Sequence, residues 1–433
     1  DSVSTPYVCL MDAASGTVLY EKGAYEKAFP ASTTKVMTCI LALELASDIN
    51  EVVTVGDSVE TKGSVINILP GEKMPLIDLL YGMMLESGND AARAIAEHFS
   101  GSESAFVQKM NEKAQSLGMT GTSFVKSNGL HKDDHFTTAY DMALLARYAM
   151  QNATFREIVS TETYDATPTN RDSDGYHWEN TNKLIHTKEG ETSYEYQYAT
   201  GIKTGDTTNA GRCLVAAAKK DGVELVLVLF GDYQSEVSGD YRFENAAKFF
   251  EWGFANYSTL DASTLGLANT LQAAVEGASA DDAEGGLLTL NIDFTGVNIV
   301  ALKDTIEEIR QDPSLLTCTK ALDKLAAPIE QGQKVGMVSY QYDGATMFTA
   351  PVYASRAVAA AGSGPASQPS TSPIAVETTP PGGAGEKNNS WVFWVCLAGA
   401  LAILFVIARL IAVKRRRRRA PRRRKAYRAR IVR

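Results

Sequence analysis

The sequence contains little cysteine and little histidine, with five of each among 433 residues. The cysteines are widely scattered, which argues against a small fold held together by disulfide bonds. A bridge between Cys9 and Cys213 would need their strands to be neighbours, and we expect buried free thiols instead. The sequence also lacks a His-Glu-x-x-His run. A hydrated loop is therefore predicted, rather than a zinc site, for the cluster of His131, Asp133, Asp134 and His135.

Acidic residues are absent from residue 391 onwards, and this makes the charge distribution lopsided. Residues 1–390 hold all 51 acids and 28 of the bases, so their net charge of −23 lies behind the overall value of −9. Residues 414–433 contain 13 Lys or Arg. A body so acidic repels phosphates, so general nucleic-acid binding is not expected. A strongly acidic body joined to a strongly basic tail is also not typical of a soluble cytoplasmic enzyme.

One long apolar run covers residues 391–413, with Arg409 as its only charge. As a helix, its 23 residues reach roughly 34 Å and can cross a bilayer, whereas a buried core helix would be shorter. Under the positive-inside rule, residues 414–433 form a cytoplasmic tail that also holds anionic membrane lipid, and residues 1–390 lie outside a bacterial cell membrane. Because Asp1 begins a polar segment, we expect a mature form whose signal peptide has been removed.

Composition divides the rest of the chain into a linker, a β-rich part and a mixed N-terminal part. Residues 359–390 are rich in Pro, Gly, Ser, Thr and Ala and are predicted to be a flexible linker. Residues 259–358 are predicted to form a small β-rich domain without a catalytic cluster. It has one polar helix around Leu302–Gln311 and strand-like runs at Leu287–Phe294, Val335–Tyr342 and Met347–Tyr353.

Residues 1–258 show a mixed α/β (α+β) pattern with strands at both ends and helices between them. Hairpin turns are indicated at residues 13–16 and, more strongly, at Asp221-Gly222. The strands should therefore form one antiparallel sheet built from both termini of this domain. Apolar periodicity predicts helices at Thr33–Ser47, Leu76–Glu86, Ala91–Phe99, Ser104–Leu117 and Ala139–Met150.

A Ser-x-x-Lys pattern occurs twice, at Ser32 to Lys35 and at Ser123 to Lys126. Ser32 follows Pro30 and opens a long apolar helix, which places its hydroxyl at the positive end of the helix dipole and Lys35 one turn further on. Ser123 lies in a loop rich in Gly and Ser. The alternative for Ser32 is an ordinary helix N-cap.

Two further motifs follow in order along the chain. Ser87-Gly88-Asn89 lies at a helix–helix junction, and Lys203-Thr204-Gly205 lies on a strand just before the second hairpin. Alone, the first motif is explained as a turn, and the second is explained as a strand with an exposed lysine. The ordered set resembles the three motifs of penicillin-interacting serine acyltransferases.

A serine nucleophile needs a base, and Lys35 is the candidate. At an ordinary lysine pKa, a neutral amine at pH 7 costs about 4.6 kcal/mol, and burial beside Lys203 would lower that cost. The hypothesis is that Lys35 accepts the Ser32 proton, Ser87 relays it to the leaving amine and Asn89 orients Lys35 and the substrate amide. The oxyanion would be held by the backbone N–H groups of Ser32 and Asp206, and a substrate carboxylate by Lys203, Thr204 and Gly205.

Residues 5–258 resemble the serine-type D-alanyl-D-alanine carboxypeptidases, the low-molecular-mass penicillin-binding proteins. Further matches are residues 83–92, 128–141 and 180–182 and the stretch from Arg242 to Phe254. The resemblance implies an antiparallel sheet flanked by helices, no cofactor or metal, and removal of D-alanine from peptidoglycan stem peptides through a Ser32 acyl-enzyme. It also implies β-lactams as covalent inhibitors and Arg242 as a further ligand of the terminal carboxylate.

Asp206 departs from the family pattern, which usually has His, Tyr or Phe after Lys-Thr-Gly, and an acid there is expected to weaken carboxylate binding or alter drug sensitivity. Three alternatives remain. A class A β-lactamase would need a Glu-x-x-Leu-Asn run, which the sequence lacks. A metal-dependent peptidase would lose activity in EDTA. A catalytically weak cell-wall-binding protein would bind penicillin without releasing D-alanine.

Overall fold

The structure, a computed structural model, describes residues 5–233 and 240–361. Within these ranges, no helix is both long enough and apolar enough to cross a membrane. The predicted membrane span at residues 391–413, the basic tail and nearly all of the predicted linker lie outside the described residues.

The strands and helices of the first 256 residues alternate as follows. The strands are β1 Tyr7–Asp12, β2 Val18–Lys22, β3 Val52–Thr54, β4 Lys73–Pro75, β5 Thr163–Asp165, β6 His177–Glu179, β7 Ala199–Thr207, β8 Gly211–Lys220 and β9 Val223–Asp232. The helices are α1 Lys35–Leu45, α2 Leu76–Leu85, α3 Asn89–Ser100, α4 Glu103–Ser116, α5 Ala139–Ala149, α6 Ala153–Ser160 and α7 Tyr241–Asn256.

A five-stranded antiparallel sheet organises this part of the chain, in the order β2-β1-β9-β8-β7. The two N-terminal strands pair with the three late strands, which confirms the predicted sheet from both termini. The turn between β8 and β9 has positive φ angles at Asp221 (51°) and Gly222 (83°). Two consecutive positive φ angles define the type I′ hairpin turn that an Asp-Gly pair favours.

The centre of the sheet is covered on both faces. Along β9, Val226, Val228 and Phe230 belong to the core shared with the helices α1 to α5, whereas Leu225 and Leu227 belong to the core shared with α7. Successive side chains of a strand point to opposite faces, so a strand buried on both sides becomes an almost continuous apolar run. The two cores cover the sheet, and its edge strand β7 lies against the turn that carries Ser32.

Residues 257–361 form the β-rich part, as predicted. It contains β10 Tyr257–Asp261, β11 Thr270–Ala274, β12 Leu287–Ile292, β13 Asn298–Leu302, α8 Lys303–Gln311, β14 Thr317–Leu322, β15 Lys334–Tyr342 and β16 Ala345–Ala354. Five of the strands pair in the order β11-β12-β16-β15-β14. This sheet has its own core, in which Leu288, Leu290, Val338, Ala350 and Val352 are buried.

The four cysteines in the described ranges are free, and Cys9, Cys39 and Cys213 are buried. Cys9 faces Val228 of β9, and Val228 in turn faces Val215 of β8. One strand therefore separates Cys9 from the strand of Cys213, a distance of about 10 Å, and a disulfide spans at most about 7 Å. The expectation of free thiols is confirmed.

Candidate active site

Ser32 lies in a 3-10 turn, Ala31–Thr34, that leads directly into α1. Ala31 has a φ of +48°, a conformation that costs energy for a residue with a Cβ. Gly129 packs so closely on this turn that a Cβ there would lie 1.9 Å from the carbonyl oxygen of Ala31. The N-cap residue of α1 is Thr34 and makes no side-chain cap bond, so Ser32 does not act as its N-cap.

Lys35 is fully buried, and its Nζ contacts three oxygen atoms. The distances are 2.9 Å to Ser32 Oγ, 2.7 Å to Asn89 Oδ1 and 2.8 Å to the carbonyl oxygen of Asn128. Burial and then the charge of Lys203 hold the pKa of Lys35 well below its ordinary value, against an opposing effect of Asp90. This lysine is therefore poised to be a neutral amine.

The hydrogen bonds of a neutral Lys35 fix where its lone pair points. The oxygens of Asn89 and of the Asn128 backbone can only accept, so each takes one of the two N–H groups of the amine. The third contact, to Ser32, is left for the lone pair, which can receive the hydroxyl proton. The geometry thus forms a nucleophile–base pair within hydrogen-bonding distance.

The second motif lies where α2 ends and α3 begins. Ser87 has a φ of +64°, which turns the chain sharply and keeps Ser87 and Asn89 at the buried side of the junction. Asn89 Nδ2 donates to the carbonyl of Lys62 at 2.6 Å, which fixes the amide with its oxygen towards Lys35. The adjacent Asp90 carboxylate accepts backbone N–H bonds from residues 66 and 68, and so holds the preceding loop in place.

The third motif lies on β7, the edge strand next to the Ser32 turn. A Cβ on Gly205 would lie 3.1 Å from both the Ser32 nitrogen and the Pro30 oxygen, so this close approach depends on glycine. Lys203 is buried; burial, then the charge of Arg242, lowers its pKa to about 7, against an opposing effect of Glu86. Thr204 Oγ1 lies 3.0 Å from Thr181 Oγ1.

Arg242 and Asp206 lie at the same edge but in different surroundings. The Arg242 guanidinium donates to Asp240 Oδ2 at 2.9 Å and to the carbonyls of Gly205 and Cys213 at 3.2 and 3.3 Å. These contacts link β7 and β8, and the contact of Arg242 with the substrate carboxylate stays a prediction. The Asp206 side chain is 61% exposed.

Two groups hold the site in place although the sequence predicts no such role for them. His135 is buried rather than part of a hydrated loop, and its Nδ1 accepts the backbone N–H of Val125 at 2.9 Å. The proton therefore lies on Nε2, which donates to Thr34 Oγ1 at 2.8 Å. Burial lowers the pKa of His135 to about 4 and keeps it neutral. The other support is the backbone carbonyl of Asn128, which lies in the matching stretch 128–141 but has no predicted role, because a backbone oxygen leaves no side-chain pattern.

The second Ser-x-x-Lys pattern does not form such a pair. Lys126 Nζ lies 3.2 Å from Glu103 Oε2, and the backbone of Ser123 bridges to Phe136. In the described ranges, no three or more His, Cys, Asp or Glu residues are grouped to hold a metal ion.

Comparisons with known proteins agree with this geometry. Residues 1–234 match the family "D-alanyl-D-alanine carboxypeptidase", and residues 294–360 match "Penicillin-binding protein 5, C-terminal domain". The chain is 32% identical over 363 residues to D-alanyl-D-alanine carboxypeptidase DacF of Bacillus subtilis, covering 82% of this chain and 85% of that protein.

Two solved structures are also similar. Penicillin-binding protein 5 from Haemophilus influenzae has a TM-score of 0.63 at 25% identity, covering 83% of this chain and 98% of that one. The Streptomyces K15 DD-transpeptidase has a TM-score of 0.53 at 30% identity, covering 59% of this chain and 98% of that one. With the family match spanning more than half of its length, this chain belongs to the D-alanyl-D-alanine carboxypeptidases, a family of serine hydrolases.

Proposed function

We propose that this protein removes the terminal D-alanine from peptidoglycan stem peptides through a covalent intermediate on Ser32, and that β-lactams acylate the same serine. The observation that carries the proposal is the contact of a fully buried Lys35 amine with Ser32 Oγ, with its other two contacts made to pure acceptors. This arrangement places a candidate base within hydrogen-bonding distance of the nucleophile, and burial lowers the pKa of that base.

Acylation begins when Ser32 Oγ attacks the carbonyl carbon of the penultimate D-alanine. Lys35 takes the hydroxyl proton and then hands it to Ser87 as Ser87 gives its own proton to the nitrogen of the departing D-alanine, so the C–N bond breaks and Lys35 is neutral again. The oxyanion of the tetrahedral intermediate lies between the N–H groups of Ser32 and Asp206, which the packing of Gly205 against the Ser32 turn brings close together. In deacylation, water attacks the ester carbonyl while Lys35 accepts a proton from it, the bond to Ser32 Oγ breaks, and Lys35 returns the proton to Ser32 Oγ.

Recognition of the terminal carboxylate falls to Lys203 and Thr204, with Gly205 allowing their strand to lie close to the Ser32 turn. A local cation is needed because residues 1–390 carry a net charge of −23, which repels an anionic substrate. Arg242 acts here as a positioning residue, since its guanidinium holds the carbonyls of Gly205 and Cys213. Its charge also lowers the pKa of Lys203.

The test is release of free D-alanine from a diacetyl-L-Lys-D-Ala-D-Ala peptide by the full chain. Ser32→Ala should abolish release, because the nucleophile is gone. Ser123→Ala is the matched control, since it alters the other Ser-x-x-Lys serine, and it should release D-alanine at the wild-type rate. Release that survives in the Ser32→Ala protein would contradict the proposal. Stoichiometric binding of penicillin without release would favour the cell-wall-binding alternative, and rapid drug hydrolysis a β-lactamase.

The proposal extends to the place where this reaction occurs. The apolar run 391–413 and the basic residues 414–433 support a single membrane span with a cytoplasmic tail, and the acidic body would then face the cell wall. The linker would give the active site reach towards that polymer. Alkaline carbonate washing of membranes should retain the full chain and release a chain that ends at residue 390. Equal release of both would contradict the anchor.

A further inference from the structure

Asp206 presents an exposed carboxylate beside the proposed substrate groove. It follows Thr204 by two residues on β7, so both side chains lie on the same face of the strand. Thr204 is buried, whereas 61% of the Asp206 side chain is exposed. A bound peptide that touches Thr204 therefore meets this carboxylate next.

The direction of the bound peptide follows from the proposed function, on which this inference rests. Its terminal carboxylate lies at Lys203 and Thr204, and its scissile carbonyl lies at Ser32. One peptide residue spans about 3.5 Å, whereas two strand residues span about 6.7 Å. The part of the substrate on the acyl side of the scissile bond therefore runs beside Asp206.

Arg212 lies close to Asp206, but its shorter contact is to another carboxylate. Arg212 faces Asp206 across the β7–β8 pair, with Nε 3.7 Å from its carboxylate. The same arginine places Nη1 at 3.1 Å from Asp240, and Asp240 also binds Arg242 at 2.9 Å. The charges of Arg212 and Arg242 thus balance those of Asp206 and Asp240. The exposed oxygens of Asp206 remain available to a ligand.

We propose that Asp206 is a specificity-determining residue that selects acyl-donor peptides carrying an ammonium group on the residue before the scissile D-Ala-D-Ala. The carboxylate attracts that group at an exposed site and repels an anionic one. Exposed ion pairs typically contribute a preference of up to about fivefold, so we expect about threefold here. Salt should weaken it, because the charges are solvated.

The test compares two peptides that differ in one charge. The full chain is assayed for kcat/KM with Nα-acetyl-L-Lys-D-Ala-D-Ala, which has a free ε-amine, and with its Nε-acetylated form. The wild type should prefer the free amine about threefold at low ionic strength. Asp206→Asn should bring the ratio to about one, and Asp206→Glu should restore a preference.

Asp221→Asn is the matched control, since it removes the same charge from the exposed β8–β9 turn. Asp221 is nine residues along β8 from the partner of Asp206, roughly 30 Å away, and its variant should keep the wild-type ratio. An unchanged ratio in Asp206→Asn, or no preference in the wild type, would overturn the inference. Acylation by benzylpenicillin, measured on each variant, separates the two proposals: without any acyl-enzyme in the wild type, the proposed function and this inference both fail.

Discussion

The charge of Lys203 should control the alkaline side of the pH–rate profile. Its side chain is buried, and burial together with Arg242 lowers its pKa to about 7. Raising the pH through that value removes the cation that is proposed to bind the substrate carboxylate. Lys35 has the opposite requirement, because it must be neutral to accept the Ser32 proton. The free enzyme should therefore show a bell-shaped kcat/KM profile.

The magnitude follows from the Lys203 value. At pH 9, two units above its pKa, about 1% of Lys203 remains protonated, so kcat/KM should fall tenfold per unit above about pH 8. The bound carboxylate stabilises the charged form and raises the pKa of Lys203. The alkaline limb of kcat should therefore lie at higher pH than that of kcat/KM.

The assay is D-alanine release between pH 5 and pH 10 with the diacetyl tripeptide. Lys203→Arg should lower activity through altered shape but abolish the alkaline limb below pH 10, since arginine stays charged. Lys219→Arg, at an exposed position of β8, should keep the wild-type profile. A wild-type kcat/KM that stays constant or rises from pH 7 to pH 10 would refute the assignment of Lys203.

Three other predictions concern Gly129, His135 and the cysteines. Gly129→Ala should destabilise the protein by about 3 kcal/mol or more in urea unfolding and displace the Ser32 turn, whereas Gly118→Ala, with open space around it, should cost only about 1–2 kcal/mol. Burial lowers the pKa of His135 from 6.5 to about 4, so the unfolded chain binds more protons in that window and His135 should cost about 2 kcal/mol of stability between pH 7 and pH 5. His135→Gln should remove that part of the pH dependence of urea unfolding, and an unchanged dependence would contradict it. Iodoacetamide should modify exposed Cys318 in the native protein and spare the buried thiols of Cys9, Cys39 and Cys213.

Much of the fold could be predicted because local chemistry and tertiary structure agree there. The Asp221-Gly222 turn needs two positive φ angles, which this pair adopts readily, and the apolar runs on both sides fit strands covered on two faces. Helices α1 to α5 carry clear apolar periodicity. Helices α6 and α7 are not predicted by the sequence pattern. In α7, bulky aromatic residues are mixed with Gly253, which packs against Leu225.

The sequence predicts those parts of the site that consist of motif side chains, but not those that consist of backbone atoms. Ser32, Lys35 and Asn89 are brought together as expected, because the Ser-x-x-Lys spacing spans one turn and the motif order matches the family. The Asn128 carbonyl and the link from His135 to Thr34 depend on backbone atoms and tertiary packing. For the same reason, the sequence could not foresee that Arg242 binds the carbonyls of β7 and β8.

The most direct test of the central claim is to locate the serine that benzylpenicillin acylates. The full chain would be treated with the drug, digested and analysed by mass spectrometry. We predict one adduct, on the peptide that contains Ser32, and none in the Ser32→Ala protein, with Ser123→Ala labelled as the wild type. A stable adduct that persists in the Ser32→Ala protein, or one that maps to Ser123 or Ser87, would contradict the account.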